Sequence, residues 1–286
     1  MNKIWQDTVV VCRMIKIEHS IFALPFAYTG LFLASGGRPG WGAFVLLTIA
    51  MVAVRSFAMG VNRVVDLRFD RMNPRTQRRP LVTGELSVRF TLIFLAITAL
   101  IFIAACAGLN LACFWLSFPA LAWSGLYSFT KRFTPWCHFF LGSVLGLAPV
   151  AGWLAFDPVL TLPAVLLFCG VTCWVAGFDL LYACQDVEFD RKVGLYSMPA
   201  LFGVETALAV SSFSHAITGA FFLLAGWAAG LGAIYFLVTG FCCAVLVWEH
   251  LLIKADDMSR VNMAFFTLNG GISMAIFGGV IWAIFA

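Results

Sequence analysis

The chain has 286 residues, of which 62% are hydrophobic and only 11% charged, and its mean hydropathy is +0.95. A water-soluble domain carries about twice that share of charge, so a soluble globular enzyme is excluded. The net charge of +4 is explained by loop topology and calls for no nucleic-acid partner, and the strand-like alternation of an outer-membrane barrel is missing.

Apolar runs of membrane-spanning length recur along the chain. The first 20 residues carry Lys3, Asp7, Arg13, Lys16, Glu18 and His19 without a small-residue cleavage pattern, so the first span, 19–37, is expected to stay as an anchor. A second span, 41–61, runs into the polar cluster Asn62-Arg63-Val64-Val65-Asp66-Leu67-Arg68-Phe69-Asp70. Four-residue spacing puts Asn62, Asp66 and Asp70 along one helical stripe. Asn73-Pro74 then breaks the helix, and Arg75, Arg78 and Arg79 fall over its end, where forked donors suit phosphate. Setting membrane orientation is a simpler use for that basic loop, but orientation needs no acidic or amide ligands at regular spacing.

Spans at 88–107 and 109–128 follow, joined almost without a loop at Gly108-Leu109-Asn110. The latter ends in Tyr127-Ser128-Phe129-Thr130-Lys131-Arg132, with Tyr127 and Lys131 one turn apart. Alone this patch reads as an interfacial Tyr and a snorkelling Lys. Spans at 136–156 and 160–180 lead to the second acidic cluster, in which Asp179, Tyr182, Asp186 and Asp190 share a helical face and Glu188 points away. Asp179 lies deeper in the bilayer and reads equally well as a metal ligand or as the partner of a buried cation or polar group. Spans at 205–228, 231–251 and 263–285 complete a count of nine. The expected fold is all-α: one polytopic membrane bundle of about nine helices, a single domain over 1–286.

Carboxylates beside hydrocarbon are costly and usually line functional cavities. Hard cations such as Mg²⁺ take oxygen ligands and share them with phosphates. Two acidic stripes on separate helices therefore point to a metal–diphosphate site, with Asn62, Asp66, Asp70, Asp186 and Asp190 as metal ligands. Seventeen of the 18 Lys and Arg residues fall at the N-terminus or in alternate loops, and Arg38 alone falls in the other set. By the positive-inside rule the N-terminus and both acidic clusters face the cytoplasm and the C-terminus faces outward, as expected for a protein of the cytoplasmic (inner) membrane. The nine cysteines read as small apolar packing, and Glu249-His250 reads as interfacial. Some of the 29 Phe and 10 Trp are expected to line a tunnel and stabilise a cation with their ring faces.

In this order the motifs resemble the UbiA superfamily of intramembrane prenyltransferases. Asn62, Asp66 and Asp70 match its first acidic pattern, Asp186 and Asp190 its second, and Tyr127 and Lys131 its Tyr-x-x-x-Lys pattern. The stretches Arg75–Pro80, Tyr127–Arg132 and Tyr182–Lys192 look like its 4-hydroxybenzoate polyprenyltransferase branch and that branch's relatives thought to prenylate a dihydroxynaphthoate for menaquinone. The branch's N-terminal Arg-x-x-Lys-Pro appears here as Arg13-Met14-Ile15-Lys16-Ile17, without the proline. The resemblance implies Mg²⁺-dependent transfer from a polyprenyl diphosphate to an aromatic acid in quinone biosynthesis. It implies Asp66, Asp70, Asp186, Asp190 and Lys131 as catalytic residues. Asn62, Arg75, Arg79, Tyr127, Arg132, Tyr182 and Lys192 would bind substrate, and Arg13 or Lys16 would meet the acceptor's carboxylate. An ion-coupled transporter would place polar residues near mid-span, where only Asp179 and Asn269 lean that way. A CDP-alcohol phosphotransferase would need an Asp-Gly-x-x-Ala-Arg signature, which is missing.

Overall fold

The computed structural model describes residues 3–255, 257–258 and 260–286, with backbone alone at 3–7, 21, 262 and 264. Among the described residues, the β pairing amounts to one isolated bridge, Lys254 to Asp257. Everything else that is regular is helix. The N-terminal helix α1 (Lys3–Ile15) ends at Lys16, a non-glycine residue at φ 49°, and a 3₁₀ turn (Ile17–Phe22) leads into α2 (Leu24–Ala34). The long α3 (Trp41–Val65) is followed by the short α4 (Leu67–Met72) and α5 (Pro80–Thr83). Next come α6 (Val88–Leu109), α7 (Leu111–Thr130), α8 (Cys137–Phe156) and α9 (Leu162–Ala183). A 3₁₀ turn (Cys184–Asp186), α10 (Val187–Val193) and α11 (Met198–Phe202) precede α12 (Val204–Ala228) and α13 (Ala233–Leu252). The chain closes with α14 (Val261–Met263), a π-helical turn (Ala264–Leu268) and α15 (Asn269–Phe285).

Among the described residues, eight helices are long and apolar enough to cross a bilayer, one fewer than the nine expected from the sequence. The difference is α7, which at 20 residues has the length but is diluted by Ser117, Pro119, Ser124, Tyr127 and Ser128. It nonetheless packs as a full member of the bundle, against α3, α6 and α8. Both closely joined pairs are separate helices. Asn110 caps α7 by accepting the Cys113 N–H at 2.9 Å, and it ties the break to α8 by donating to the Leu154 carbonyl at 2.7 Å. Gly230, at φ 66°, ends α12 in the left-handed conformation that stops helices.

Each helix is held by what it buries. The α6 face carrying Leu92, Ile93, Ile97 and Leu100 is at least half exposed, as lipid contact requires, while Thr91, Thr98 and Phe102 turn inward. Crossings in the interior rely on small residues, as expected where the solvent is itself apolar. A Cβ on Gly152 would lie 1.8 Å from the Ala27 carbonyl oxygen, and one on Gly30 would lie 1.9 Å from that of Pro149. So α2 and α8 meet backbone on backbone. The main core surrounds this seam, with Phe26, Leu31, Leu167, Trp174, Phe222 and Ile276 fully or almost fully buried. The helix ends that carry the two acidic clusters open into a cavity beside it.

Candidate active site

The first acidic stripe survives a break in its helix. α3 stops at Val65, but Asp66 N–H still donates to the Asn62 carbonyl (2.9 Å) and Asp70 N–H to that of Asp66 (2.8 Å). The four-residue spacing therefore keeps Asn62, Asp66 and Asp70 on one side, as expected. Asn62 Nδ2 donates to Asp66 Oδ2 at 2.9 Å. Beyond Asp70, Asn73 Oδ1 accepts the Arg75 N–H at 2.9 Å, and the Thr76 hydroxyl donates back to the Asp70 carbonyl at 3.0 Å. This local turn folds the basic loop over the helix end.

In the second cluster Asp186 closes a 3₁₀ turn and starts α10, and Gly194, at φ 73°, ends it. Asp186 and Asp190 line the cavity that Asn62, Asp66 and Asp70 also line, whereas Glu188 is exposed on the far face. That cavity, of about 290 Å³, also takes in Lys16, His19, Arg55, Arg63, Arg75, Arg79, Tyr127, Lys131, Asp179 and Tyr182. Phe22, Phe178 and Phe265, in mutual ring contact, form an aromatic wall of the cavity.

Each carboxylate has a partner of its own. Lys131 Nζ donates to Asp66 Oδ2 at 2.6 Å, and Arg79 Nη1 to both Asp70 oxygens at 2.6 and 2.7 Å. Arg75 grips Asp186 through Nε (2.9 Å) and Nη2, and its Nη1 donates to the Tyr182 hydroxyl at 2.6 Å. Burial opposes the charge on Arg75, but its hydrogen bonds to Asp186 and Tyr182 leave its pKa above the ordinary value. Asp190 Oδ2 accepts the Ser197 hydroxyl at 2.6 Å. The Tyr196 N–H donates to the Lys131 carbonyl at 2.7 Å, fastening the second cluster to the end of α7.

Among the described residues, no three His, Cys, Asp or Glu side chains gather as a ligand group. Like charges repel, and the four carboxylates are spread over the same cavity, three on a cation and Asp190 on a hydroxyl. The donor chemistry still fits a hard divalent ion. All five side chains offer oxygen, and Asp66 Oδ1 is buried without a hydrogen-bond partner.

The expected substrate-binding residues divide. Arg75, Arg79, Tyr127, Tyr182, Asn62 and Lys16 line the cavity. Arg132 does not, but it stays close, 4.0 Å from Asp66 Oδ1 and donating to the Val65 carbonyl at 2.6 Å. Lys192 is exposed on α10 and lines none of the cavities described. Arg13 is paired with Glu85 at the surface and reaches only an outer basic anteroom, shared with Lys16, Arg63, Arg75, Arg78 and Arg79. Lys16 in that setting has its pKa lowered to about 8, by burial first and then by the charges of Arg63, Arg79 and Arg75.

Two functional candidates escape a reading of spacing alone. Asp179 pairs with a buried polar group, the second of its two readings: its Oδ2 is 2.7 Å from His138 Nδ1, while the Met198 N–H donates to His138 Nε2 at 3.4 Å. The backbone donor leaves Nδ1 to carry the proton toward Asp179. Arg55, grouped by sequence with the basic loop that follows its span, sits instead at mid-span on α3, with its Nε buried and unpartnered, where the polar cavity meets an apolar one of about 110 Å³. A lone arginine inside a span was the available signal.

Comparison with known proteins agrees with this geometry. The model of the UbiA prenyltransferase family matches residues 23–271. A 4-hydroxybenzoate octaprenyltransferase of Shewanella woodyi is 31% identical over 275 residues, covering 95% of this chain and 96% of its own length. That of Pseudoalteromonas translucida is 29% identical, covering 96% and 94%. Among solved structures, a UbiA homologue from Aeropyrum pernix is 37% identical and superposes with a TM-score of 0.84 over 93% of this chain and 98% of its own. One from Archaeoglobus fulgidus, bound to GPP and Mg²⁺, is 22% identical with a TM-score of 0.77 over 97% and 100%, a likeness of fold.

Proposed function

Since the chain belongs to the UbiA prenyltransferase family, we propose that it transfers a polyprenyl group from a polyprenyl diphosphate to 4-hydroxybenzoate. The observation that carries this reading is one cavity that joins two acidic stripes, a ring of cations and an aromatic wall. Asn62, Asp66, Asp70, Asp186 and Asp190 would hold Mg²⁺, which when bound neutralises a diphosphate leaving group. Binding exchanges partners: Lys131, Arg75 and Arg79 turn their donors from the carboxylates to phosphate oxygens. Tyr127 and Tyr182 flank the diphosphate.

As the allylic carbon–oxygen bond breaks, the rings of Phe22, Phe178 and Phe265 shield the cation from water and stabilise it with their faces. The acceptor's ring carbon then supplies the new bond. Arg55, whose Nε is unpartnered where the polar and apolar cavities meet, meets the acceptor's carboxylate. Asp179, oriented by His138, takes the ring proton. The N-terminus and the cavity mouth face the cytoplasm, a reading supported by the alternation of basic loops.

The test is turnover by membranes carrying the protein, with geranyl or farnesyl diphosphate and Mg²⁺, against 4-hydroxybenzoate and 1,4-dihydroxy-6-naphthoate side by side. Faster prenylation of 4-hydroxybenzoate supports the reading. Preference for the naphthoate, which the missing proline after Lys16 leaves open, would move the acceptor and keep the chemistry. Failure with both acids would refute the acceptor class.

A further inference from the structure

Glu249 and Asn269 are left over by the mechanism above. The sequence places Glu249 at the interface and Asn269 at mid-span, and the structure joins them. Glu249, on α13, is fully buried, which overturns the interfacial reading. Its Oε1 accepts the Asn269 amide at 2.8 Å, and Asn269 Oδ1 accepts the indole N–H of Trp174 at 2.7 Å. All three side chains are fully buried. Glu249 Oε2 has no hydrogen bond and faces His215 Nδ1 at 3.7 Å. A carboxylate kept in hydrocarbon needs a reason.

The reason lies in what the two ends of this chain hold. The Trp174 indole packs on Phe178 at 5.0 Å and 82° and on Phe22 at 6.3 Å and 77°, the rings that wall the cavity. Asn269 immediately follows the π-helical turn that carries Phe265. Such turns are rare, and they survive where neighbours hold them in place. Phe265 meets Phe178 edge-on at 5.2 Å and 90°, Phe22 at 5.4 Å and Tyr182 at 4.5 Å. One hydrogen-bonded chain thus anchors the wall from both sides, through α9 and through α15.

We propose that Glu249 and Asn269 are positioning residues that hold the Phe22–Phe178–Phe265 wall over the reacting carbon and so decide what captures the allylic cation. The inference rests on the prenyl-transfer reading. When the carbon–oxygen bond breaks, the electron pair leaves with diphosphate. A closed wall leaves the acceptor ring to supply the next pair and shed its proton. A loosened wall admits water, whose oxygen supplies the pair and loses a proton, so that prenyl alcohol forms instead.

The test measures prenylated acid and prenyl alcohol together, on full-length protein in membranes with geranyl diphosphate and 4-hydroxybenzoate. Glu249→Leu and Asn269→Leu should raise the alcohol fraction by roughly fivefold or more and lower kcat, with KM for geranyl diphosphate within about twofold of the parent. Glu249→Gln keeps an acceptor for Asn269 and should restore the parental partition. Trp174→Phe keeps a ring but loses the indole N–H, and should raise the alcohol fraction by an intermediate amount. A parental partition in Glu249→Leu, or a Glu249→Gln enzyme as leaky as Glu249→Leu, overturns the proposal. Should the leucine variants not accumulate, Trp174→Phe decides: an unchanged partition there refutes it. Absence of prenylated product from the parent enzyme is a different result, and it would refute the prenyl-transfer reading itself.

Discussion

Replacing Arg55 by Leu isolates the contact with the acceptor's carboxylate. The guanidinium is partly buried at the meeting of the polar and apolar cavities, and its Nε has no partner to give up when a carboxylate arrives. A hydrogen bond to a charged group contributes about 1.5–3 kcal/mol. At about 1.4 kcal/mol per tenfold, Arg55→Leu should raise the acceptor's KM by roughly 10- to 150-fold. The donor's KM should move by no more than about threefold, since the diphosphate has Lys131, Arg75 and Arg79. Arg13→Gln is the matched control. Its side chain is 52% exposed and tied to Glu85, and exposed pairs contribute about 0–1 kcal/mol, so about fivefold is its ceiling. Initial rates with both substrates varied give the two KM values. Repeating them with phenol, which lacks the carboxylate, should erase the difference between parent and Arg55→Leu. A donor KM that rises as much as the acceptor's, or an Arg13→Gln enzyme as impaired as Arg55→Leu, would refute the assignment.

The other predictions concern charge. Asp66→Ala, Asp70→Ala, Asp186→Ala and Asp190→Ala should each cut turnover by about 10²–10⁴ while the protein still inserts, and the exposed Glu188→Ala should stay within about threefold; equal damage from Glu188 and Asp186 substitutions would contradict the shared-face geometry. Chelating Mg²⁺ should stop turnover yet lower Tm by no more than about 3 °C, because each carboxylate already has a protein partner; a larger drop in thermal melts would mean that the metal carries the fold. Lys16, lowered from 10.5 to about 8 by burial and by Arg63, Arg79 and Arg75, is more readily protonated in the unfolded chain, so its contribution to stability rises with pH between about 8 and 10.5. A Lys16→Met protein should lack that component of its Tm–pH curve, and in the parent the KM for anionic substrate should climb above pH 8 as the cation is lost. A reporter fused after Ala286 should lie outside the cytoplasm and reporters within 73–80 and 192–196 inside it; a cytoplasmic C-terminus would overturn the orientation.

Local spacing carried much of this structure. Asn62, Asp66 and Asp70 share a face because four residues make nearly one turn, even across the break at Asp66, and the same geometry turns Glu188 away. Span positions followed from apolar length, and α7 alone was too mixed in composition to meet the apolar measure. Partners distant in sequence were not legible. Arg75 finds Asp186 and Tyr182 over a hundred residues away, His138 finds Asp179, and Glu249 finds Asn269, all by helix packing that no periodicity records. Distance also explains the overturned reading of Glu249. A carboxylate three residues before a helix end looks interfacial until the helices that cover it are in place.

The seam between α2 and α8 has a consequence for how the protein is made. At Gly30 and Gly152 the two backbones leave no room for a methyl group, so this joint closes only when both helices are in the membrane. During synthesis α2 is inserted early, and its partner emerges much later, after α3, α6 and α7. Until then the glycine face of α2 lacks the helix it packs against, while α3 and α6 can already pair. A side chain at either glycine would therefore register first as an assembly fault, degraded before any assay of turnover could see it.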